Sequence, residues 1–211
     1  MFDPEDDFAR VTDGLVAVSV LRPGSPTATA VAHALRHPIR PLAAGGSFPP
    51  DAAADAIWHL PVAELPDPPR PGDVILDPGN RRWTVLRVRP AGPDGRWRCA
   101  ARDLVVAYGL NQYVDVEKAT YSKSAAGADV ASWQVWRTGL PARIQPAEVQ
   151  LKEEGLNRVA AARFTILLAD DVPLDHADRI KGPDGAVYAV LGYRKTPPLG
   201  VPLEIDAERI G

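Results

Sequence analysis

Residues 163–193 read RFTILLADDVPLDHADRIKGPDGAVYAVLGY, and this stretch decides the fold that the rest of the chain follows. Its pattern predicts a strand, a long polar loop, a short strand, a tight turn and a final strand. Pro183-Asp184-Gly185 is a strong turn signal, because proline presets φ and glycine adopts turn conformations without steric cost. The stretch therefore indicates an antiparallel β-hairpin preceded by another strand.

The chain contains this hairpin twice, at an offset of 105 residues without a gap. The first copy, Asp73 to Arg89, reads DVILDPGNRRWTVLRVR, and the second, Asp178 to Arg194, reads DRIKGPDGAVYAVLGYR. The positions that match are Asp73/Asp178, Ile75/Ile180, Pro78/Pro183, Trp83/Tyr188, Val85/Val190, Leu86/Leu191, Arg89/Arg194, and, outside the hairpin, Ile39/Ile144, Pro41/Pro146 and Pro68/Pro173. We interpret this as a tandem duplication.

The duplication predicts two small domains rather than one, since 211 residues then divide into units of about 100 residues, a common domain size. We expect an acidic arm over 1–13, a first β-barrel unit over 14–107, a linker over 108–112 and a second unit over 113–211. The predicted fold class is mainly β, with two tandem small antiparallel β-barrels of about six strands each and one or two short helices. Barrel closure is favoured because it leaves no exposed sheet edge.

Twelve strands are predicted from the alternation of apolar residues and from the turn residues between them. They are Leu15–Leu21, Val31–Arg40, Ile57–Leu65, Asp73–Leu76, Arg82–Arg89, Arg96–Leu104, Tyr113–Tyr121, Ser132–Ile144, Arg163–Leu168, Asp178–Lys181, Ala186–Tyr193 and Pro202–Ile205. The segment from Val31 could instead start a helix, although Pro38 and Pro41 forbid a long one. Helix is predicted for Pro146 to Ala162, with one further turn at Asp51 to Ala56.

Composition excludes several functional classes. The net charge of −3 and a pI near 5.8 give no global basic field to recruit nucleic acid. The single cysteine, Cys99, cannot form an intramolecular disulfide and is expected to be a small buried hydrophobe. No apolar run approaches the ~20 residues of a membrane helix, and the acidic amino terminus does not resemble a secretory signal.

No motif for nucleotide binding, zinc binding or serine hydrolysis occurs, so we assign no catalytic, cofactor-binding or metal-binding residue. Three weaker alternatives remain open. The polar loop has hard ligands for a divalent cation at Asp170, Asp171, Asp175, His176 and Asp178. His33 and His37 would face together on a helix. A base-stacking platform would use Trp83, Trp97, Trp133, Trp136 and Tyr188 beside Arg81, Arg82, Arg87, Arg89, Arg96 and Arg98, although burial of these aromatics is favoured.

The second half of the chain resembles the head–tail joining proteins of tailed bacteriophages, also called head-completion or stopper proteins. The resemblance covers Trp133 to Ile210 and rests on SWQVWRTGLPARIQP, on Asp178-Arg179-Ile180 before the Pro-Asp-Gly turn, on the strand Val187-Tyr188-Ala189-Val190 and on the closing VPLEIDAERI. Such proteins are small β-barrels that form a ring between the portal and the tail. The resemblance implies neither catalysis nor a cofactor.

The resemblance implies a non-catalytic connector of a virion or prophage particle, assembled in the bacterial host cytoplasm. Its expected partners are the portal or adaptor and tail proteins, with a homo-oligomeric ring, no sequence-specific nucleic acid and no membrane. We expect contacts from Arg22 to Ala30, Ser122 to Asp129 and Ala147 to Leu156, because these polar or small-residue stretches flank predicted strands. The alternatives are a β-barrel module for single-stranded nucleic acid or a small ligand and, less favoured, a metal-dependent enzyme using the aspartate-rich loop.

Overall fold

The computed structural model describes residues 14–39, 54–92, 95–125, 127–154, 157–194 and 197–210. The predicted acidic arm, 1–13, lies outside these ranges, as do residues 51–53 of the helical turn expected at Asp51 to Ala56. The last two residues of that turn, Asp55 and Ala56, are strand instead. The chain divides between Ala107 and Tyr108 into two compact units. Each unit has its own hydrophobic core.

Unit 1 is a closed barrel of six antiparallel strands in the order β1-β2-β3-β6-β5-β4, with β4 pairing back onto β1. Its strands are β1 Leu15–Leu21, β2 Ala28–Pro38, β3 Asp55–Pro61, β4 Val74–Leu76, β5 Arg82–Arg89 and β6 Arg96–Asp103. A short helix, α1, spans Leu104–Tyr108.

Unit 2 repeats this arrangement strand for strand. Its strands are β7 Gln112–Lys123, β8 Asp129–Glu154, β9 Asn157–Leu168, β10 Arg179–Lys181, β11 Val187–Tyr193 and β12 Leu203–Arg209. Their order around the barrel is β7-β8-β9-β12-β11-β10, and β10 closes the barrel on β7. The predicted fold class, two tandem six-stranded barrels, is confirmed.

Strict alternation places the apolar residues inside each barrel, since successive side chains of a strand point to opposite faces. In β3, Ala56, Trp58 and Leu60 are buried between half-buried neighbours. In β12, Leu203, Ile205 and Ala207 are buried in the same way. Three of the pairs matched by the repeat, Ile75/Ile180, Trp83/Tyr188 and Val85/Val190, occupy corresponding core positions in the two barrels.

Local irregularities are duplicated as well. The register of β5 with β6 shifts between Val85 and Arg87, and that of β11 with β12 shifts between Val190 and Gly192, again 105 residues later. Such a bulge bends a strand and is a conserved feature of related sheets. The hairpin turns also match, because Asn80 and its counterpart at position 185 both have positive φ, 59° and 82°. The two barrels therefore share detailed geometry as well as topology.

The helix predicted for Pro146 to Ala162 is wrong. In the structure β8 continues through this stretch to Glu154, and β9 returns from Asn157. Its alanine, glutamate and lysine residues favour helix, but the ladder that begins in the barrel between Ala142 and Leu168 continues outward and overrides that preference. The helix observed among the described residues is α1 instead, five residues long. None of the described segments forms a helix of the length and apolarity that crossing a membrane requires.

Candidate interaction surface

Two hairpins of unit 2 extend past the barrel as two-stranded ribbons. The β7–β8 ribbon consists of Lys118–Lys123 paired with Asp129–Gln134, beyond the point where β10 pairs with β7 at 115–117. The β8–β9 ribbon consists of 149–154 paired with 157–162, beyond the point where β12 pairs with β9. At about 3.4 Å per residue, each ribbon reaches roughly 20 Å from the barrel.

A cluster of aromatic and cationic side chains lies where the β7–β8 ribbon leaves the barrel. We call it the cationic–aromatic patch; it consists of Lys118, Trp133, Val135, Trp136, Arg137 and Arg179. Trp136 is the extra residue of a bulge, because Val116 pairs with Arg137 while Glu117 pairs with Val135. Its ring is 37% exposed, and Lys118 Nζ and Arg137 Cζ each lie 4.8 Å from the ring centroid. Both distances permit cation–π attraction.

Trp133 is fixed on two sides. Its indole Nε1 donates a hydrogen bond of 3.0 Å to the carbonyl oxygen of Ala177, and the guanidinium of Arg179 lies over its ring. Arg179 on β10 pairs with Glu117 on β7, so a carboxylate lies next to the patch. The ring of Trp133 is therefore held in place by contacts within the chain.

Exposed apolar residues lie beside the rings of the patch. Val135, which is 56% exposed, and Tyr121, which is 64% exposed, lie on the same face of the strand pair as Trp133, and Val130, which is 48% exposed, lies on the opposite face. Such exposure is unusual for large hydrophobic side chains close together on one pair of strands. The corresponding strands of unit 1, β1 and β2, have no exposed large hydrophobic residue. This difference between two barrels of one topology points to an interaction surface on unit 2.

Lys118 is anchored to the barrel by a buried aspartate. Its Nζ donates to Asp178 Oδ2 at 2.6 Å and to the carbonyl oxygen of Pro173 at 2.8 Å. Asp178 is 3% exposed and also accepts from the backbone N–H of Asp175 at 2.7 Å. A buried carboxylate needs such partners, because an unpaired one would lose its hydration without compensation.

Unit 1 has the same clasp with an arginine in place of the lysine. Arg22 occupies the position of Lys118 in the register of the closing strands; its Nη2 donates to Pro68 at 3.0 Å, and its Nε lies 3.5 Å from the buried Asp73. The backbone N–H of Arg70 donates to Asp73 at 2.8 Å, as Asp175 does to Asp178. The matched pairs Pro68/Pro173 and Asp73/Asp178 of the repeat thus take part in the same contact in both units.

The aspartate-rich loop of unit 2 does not form a metal site. Asp178 is committed to Lys118, and Asp175 Oδ1 accepts from the backbone N–H of Ala177 at 3.2 Å. The ring of His176 packs near Tyr193 at 6.1 Å between centroids. Across the described ranges, no group of three histidine, cysteine, aspartate or glutamate residues is placed to hold a metal ion. The carboxylates of this loop stabilise its own turns.

His33 and His37 of unit 1 do not share a site either. Both lie on β2, where four residues span about 13 Å. His33 Nδ1 contacts the carboxylate of Glu64, which also accepts from the backbone N–H groups of Ala32 and His33. The ring of His37 meets His59 edge-on, with 5.0 Å between centroids.

Of the two unit 1 members of the aromatic platform that was the alternative, Trp83 is buried and Trp97 is half-buried. Trp83 is 1% exposed and packs edge-on against Trp58, with 5.8 Å between ring centroids. Arg81 covers the ring of Trp83 from outside and donates to Asp103 at 2.8 Å. The favoured interpretation, burial of these aromatics, is therefore confirmed for Trp83 and for Tyr188, whereas Trp136 departs from it.

Cys99 is fully buried in the core of unit 1, as the sequence predicted. Burial raises the pKa of its thiol to about 12, helped by the negative charge of Asp73. The residue is therefore a thiol at physiological pH and not a nucleophile.

The three segments predicted to contact other chains lie in three different parts of the fold. Arg22 to Ala30 includes the clasp arginine and the start of β2. Ser122 to Asp129 forms the tip of the β7–β8 ribbon, and Ala147 to Leu156 belongs to the β8–β9 ribbon, with 155–156 outside the described residues. Sequence reasoning missed the assembly of the patch, because Arg179 and Trp133 meet only across β7. The Trp-x-x-Trp-Arg spacing at 133–137 was the signal available for it.

Comparisons with known proteins give a weak structural match and no match to a protein family or a curated protein. No protein-family model matches the chain, and no curated protein matches it. Among solved structures, a chain from the "Virion of native gene transfer agent (GTA) particle" is similar, with 16% identity, a TM-score of 0.39, and coverage of 47% of this chain and 94% of that chain. A TM-score of this size does not establish a shared fold.

Proposed function

We propose that the protein is a structural, non-catalytic component of a virion or virion-like particle, and that it joins the portal of the head to the tail as part of a ring. The observation that carries the proposal is the pair of ribbons on unit 2, which extend from a rigid closed barrel. Exposed two-stranded ribbons offer unpaired backbone groups and side chains to neighbouring chains. The resemblance of Trp133 to Ile210 to head–tail joining proteins gives the same interpretation.

The electrostatics of the chain agree with a passage for DNA. A strongly basic lumen would bind phosphates and slow the movement of DNA, whereas a net charge of −3 repels it weakly. The duplication suggests that each chain fills two neighbouring places of a ring, so that fewer chains complete it. Both barrels would then belong to the wall of the connector.

Assembly in cells tests this proposal. Residues 122–129 would be replaced by an Asn-Gly turn, which shortens the β7–β8 ribbon and keeps its hairpin geometry. We expect heads without tails in electron micrographs, as in cells that lack the gene. The control is the double variant K123Q/D129N, which removes the exposed 3.4 Å ion pair at the tip and leaves the ribbon intact. Joined particles in the absence of the gene would refute the proposal.

A second candidate function is the binding of single-stranded nucleic acid, favoured by the exposed ring of Trp136 between Lys118 and Arg137. Bases stack on such rings while cations contact the phosphates. Fluorescence anisotropy with a labelled (dT)15 tests it. Binding that weakens steeply with salt and disappears in W136S/R137Q would support this function over the structural one.

A further inference from the structure

We infer that the cationic–aromatic patch binds the acidic amino-terminal segment, residues 2–8, of a neighbouring copy of this chain. The inference deepens the proposed function and rests on it, because a ring requires a contact that passes from each subunit to the next. The patch supplies one side of that contact, and the sequence of the segment supplies the other.

The segment combines two aromatic residues with four carboxylates. It reads FDPEDDF, with Phe2 and Phe8 at its ends and Asp3, Glu5, Asp6 and Asp7 between them.

The patch matches this pattern in chemistry. Beside the ring of Trp133, one face of the strand pair presents the exposed side chains of Tyr121 and Val135. Arg137 and Arg179 are the cations that carboxylates would meet, since Lys118 is already paired with Asp178. Arginine suits this role because its planar guanidinium binds carboxylates while its face stacks on aromatic rings.

Several observations favour this occupant over nucleic acid. The local positive charge is small, because Glu117 and Asp178 accompany the three cations, and small charge favours a short peptide over a polyanion. The exposed Tyr121 and Val135, which share one face of the strand pair, offer apolar contacts that phenylalanine rings can use and that phosphates cannot. The patch is also specific to unit 2, because the equivalent strands of unit 1, β1 and β2, carry no exposed large hydrophobic residue.

The order along the chain makes the contact head-to-tail. The acidic segment precedes unit 1, and the patch lies on unit 2, so two different surfaces meet when one copy contacts the next. Contacts of this heterologous kind generate closed rings when the rotation between subunits closes. A neighbouring copy is therefore the occupant that fits the proposed assembly.

The first experiment uses a synthetic peptide of residues 1–13 and a full-length arm variant in which the chain's own segment is inactivated. That variant carries F2S, D3N, E5Q, D6N, D7N and F8S, and fluorescence anisotropy of the labelled peptide reports binding. We expect saturable binding at about 50 mM NaCl that weakens severalfold at about 500 mM, since salt screens exposed charges. A patch variant with V135T, W136S and R137Q added should bind at least about tenfold more weakly, because a central tryptophan and arginine dominate such contacts.

The matched control is R89Q in unit 1, which removes the same charge from an exposed position far from β8 in the sequence and should bind the peptide as the arm variant does. No binding at about 1 mM peptide, a limit equivalent to a very weak complex, would overturn the inference. Binding of (dT)15 at the patch without binding of the peptide would overturn it too. Neither result bears on the gene-deletion test of the proposed function.

The second experiment separates a neighbouring copy from the same copy. The arm variant retains a working patch, and a second full-length variant with V135T, W136S and R137Q but with the natural residues 1–13 retains a working arm, so mixing them leaves one productive contact. We expect heterodimers in the mixture by analytical ultracentrifugation at about 100 µM, and monomers for each variant alone. Peptide binding without heterodimers would mean that the segment docks on its own copy, and would refute the intermolecular contact.

Discussion

Replacing Asp178 with asparagine tests the clasp that anchors unit 2. The carboxylate is 3% exposed and accepts from Lys118 at 2.6 Å, while the side chain of Lys118 remains 33% exposed. Asparagine keeps the shape and can still accept from the backbone of Asp175, but it removes the charge that balances the ammonium group. The perturbation is therefore electrostatic.

The expected loss of free energy of unfolding lies between the value for a buried ion pair and the value for an exposed one. Removing one partner of a fully buried ion pair costs about 3–5 kcal/mol. Exposed pairs contribute about 0–1 kcal/mol. Because Lys118 retains access to water and to the carbonyl of Pro173, we expect D178N to lower the free energy of unfolding of unit 2 by about 2 kcal/mol, the scale of one charge-assisted hydrogen bond.

The assay is amide hydrogen exchange across a urea titration, since peptides from unit 2 then report the stability of that barrel separately. D129N is the matched control: it removes the same charge from an exposed pair with Lys123 at 3.4 Å and should change stability by less than about 0.5 kcal/mol. Adding K118M to D178N should recover part of the loss, because no unpaired ammonium remains. If D178N and D129N behave alike, the reasoning about the clasp fails.

Three further predictions concern unit 1 and the matched turns. Burial works to raise the pKa of the Glu64 carboxyl, but hydrogen bonds from His33 and from the backbone outweigh it and hold that pKa below its usual 4.5. The stability that a lowered carboxyl pKa contributes is complete above pH 4.5 and is lost as pH falls through the lowered value. In urea titrations, wild type should therefore be more stable than E64Q above pH 4.5 and equally stable near about pH 2. A difference in stability that does not change with pH would contradict this. The thiol of Cys99 should react with a disulfide reagent at pH 8 only in denaturant, and rapid labelling of the folded protein would show that its core position is wrong. Because position 185 has φ of 82°, G185A should cost about 1–2 kcal/mol while N80G at the matched turn should be nearly neutral; equal thermal shifts would refute the strain argument.

The sequence predicted those strands best whose alternation and turns are local. Leu15–Leu21 and Arg82–Arg89 have the same bounds in the sequence-based prediction and in the structure. The hairpin before Tyr193 was equally clear, because Pro-Asp-Gly and period-2 alternation lie within a few residues of each other. The stretch from Pro146 to Ala162 was misassigned for the opposite reason: its composition favours helix, and only pairing with a strand already fixed in the barrel makes it extend.

The interaction surface could not be predicted to the same degree. A Trp-x-x-Trp-Arg spacing on one strand is visible in the sequence, but burial of all the tryptophans was the better expectation from sequence alone. The bulge at Trp136 turns that ring outward, and it arises from the register of two strands. Arg179 joins the patch from a third strand, and Lys118 reaches Asp178 across a separation of 60 residues.

By itself, the sequence determined that this protein is two copies of one β unit, because a fixed 105-residue offset and period-2 alternation are properties of the chain alone. Only the tertiary structure decided which strand of each equivalent pair in the two units is covered by neighbouring strands and which is exposed. The reason is physical: closure of each barrel fixes which face of every strand is inside, while strand length beyond the closure leaves unit 2 with two ribbons that have no third strand beside them in the described residues.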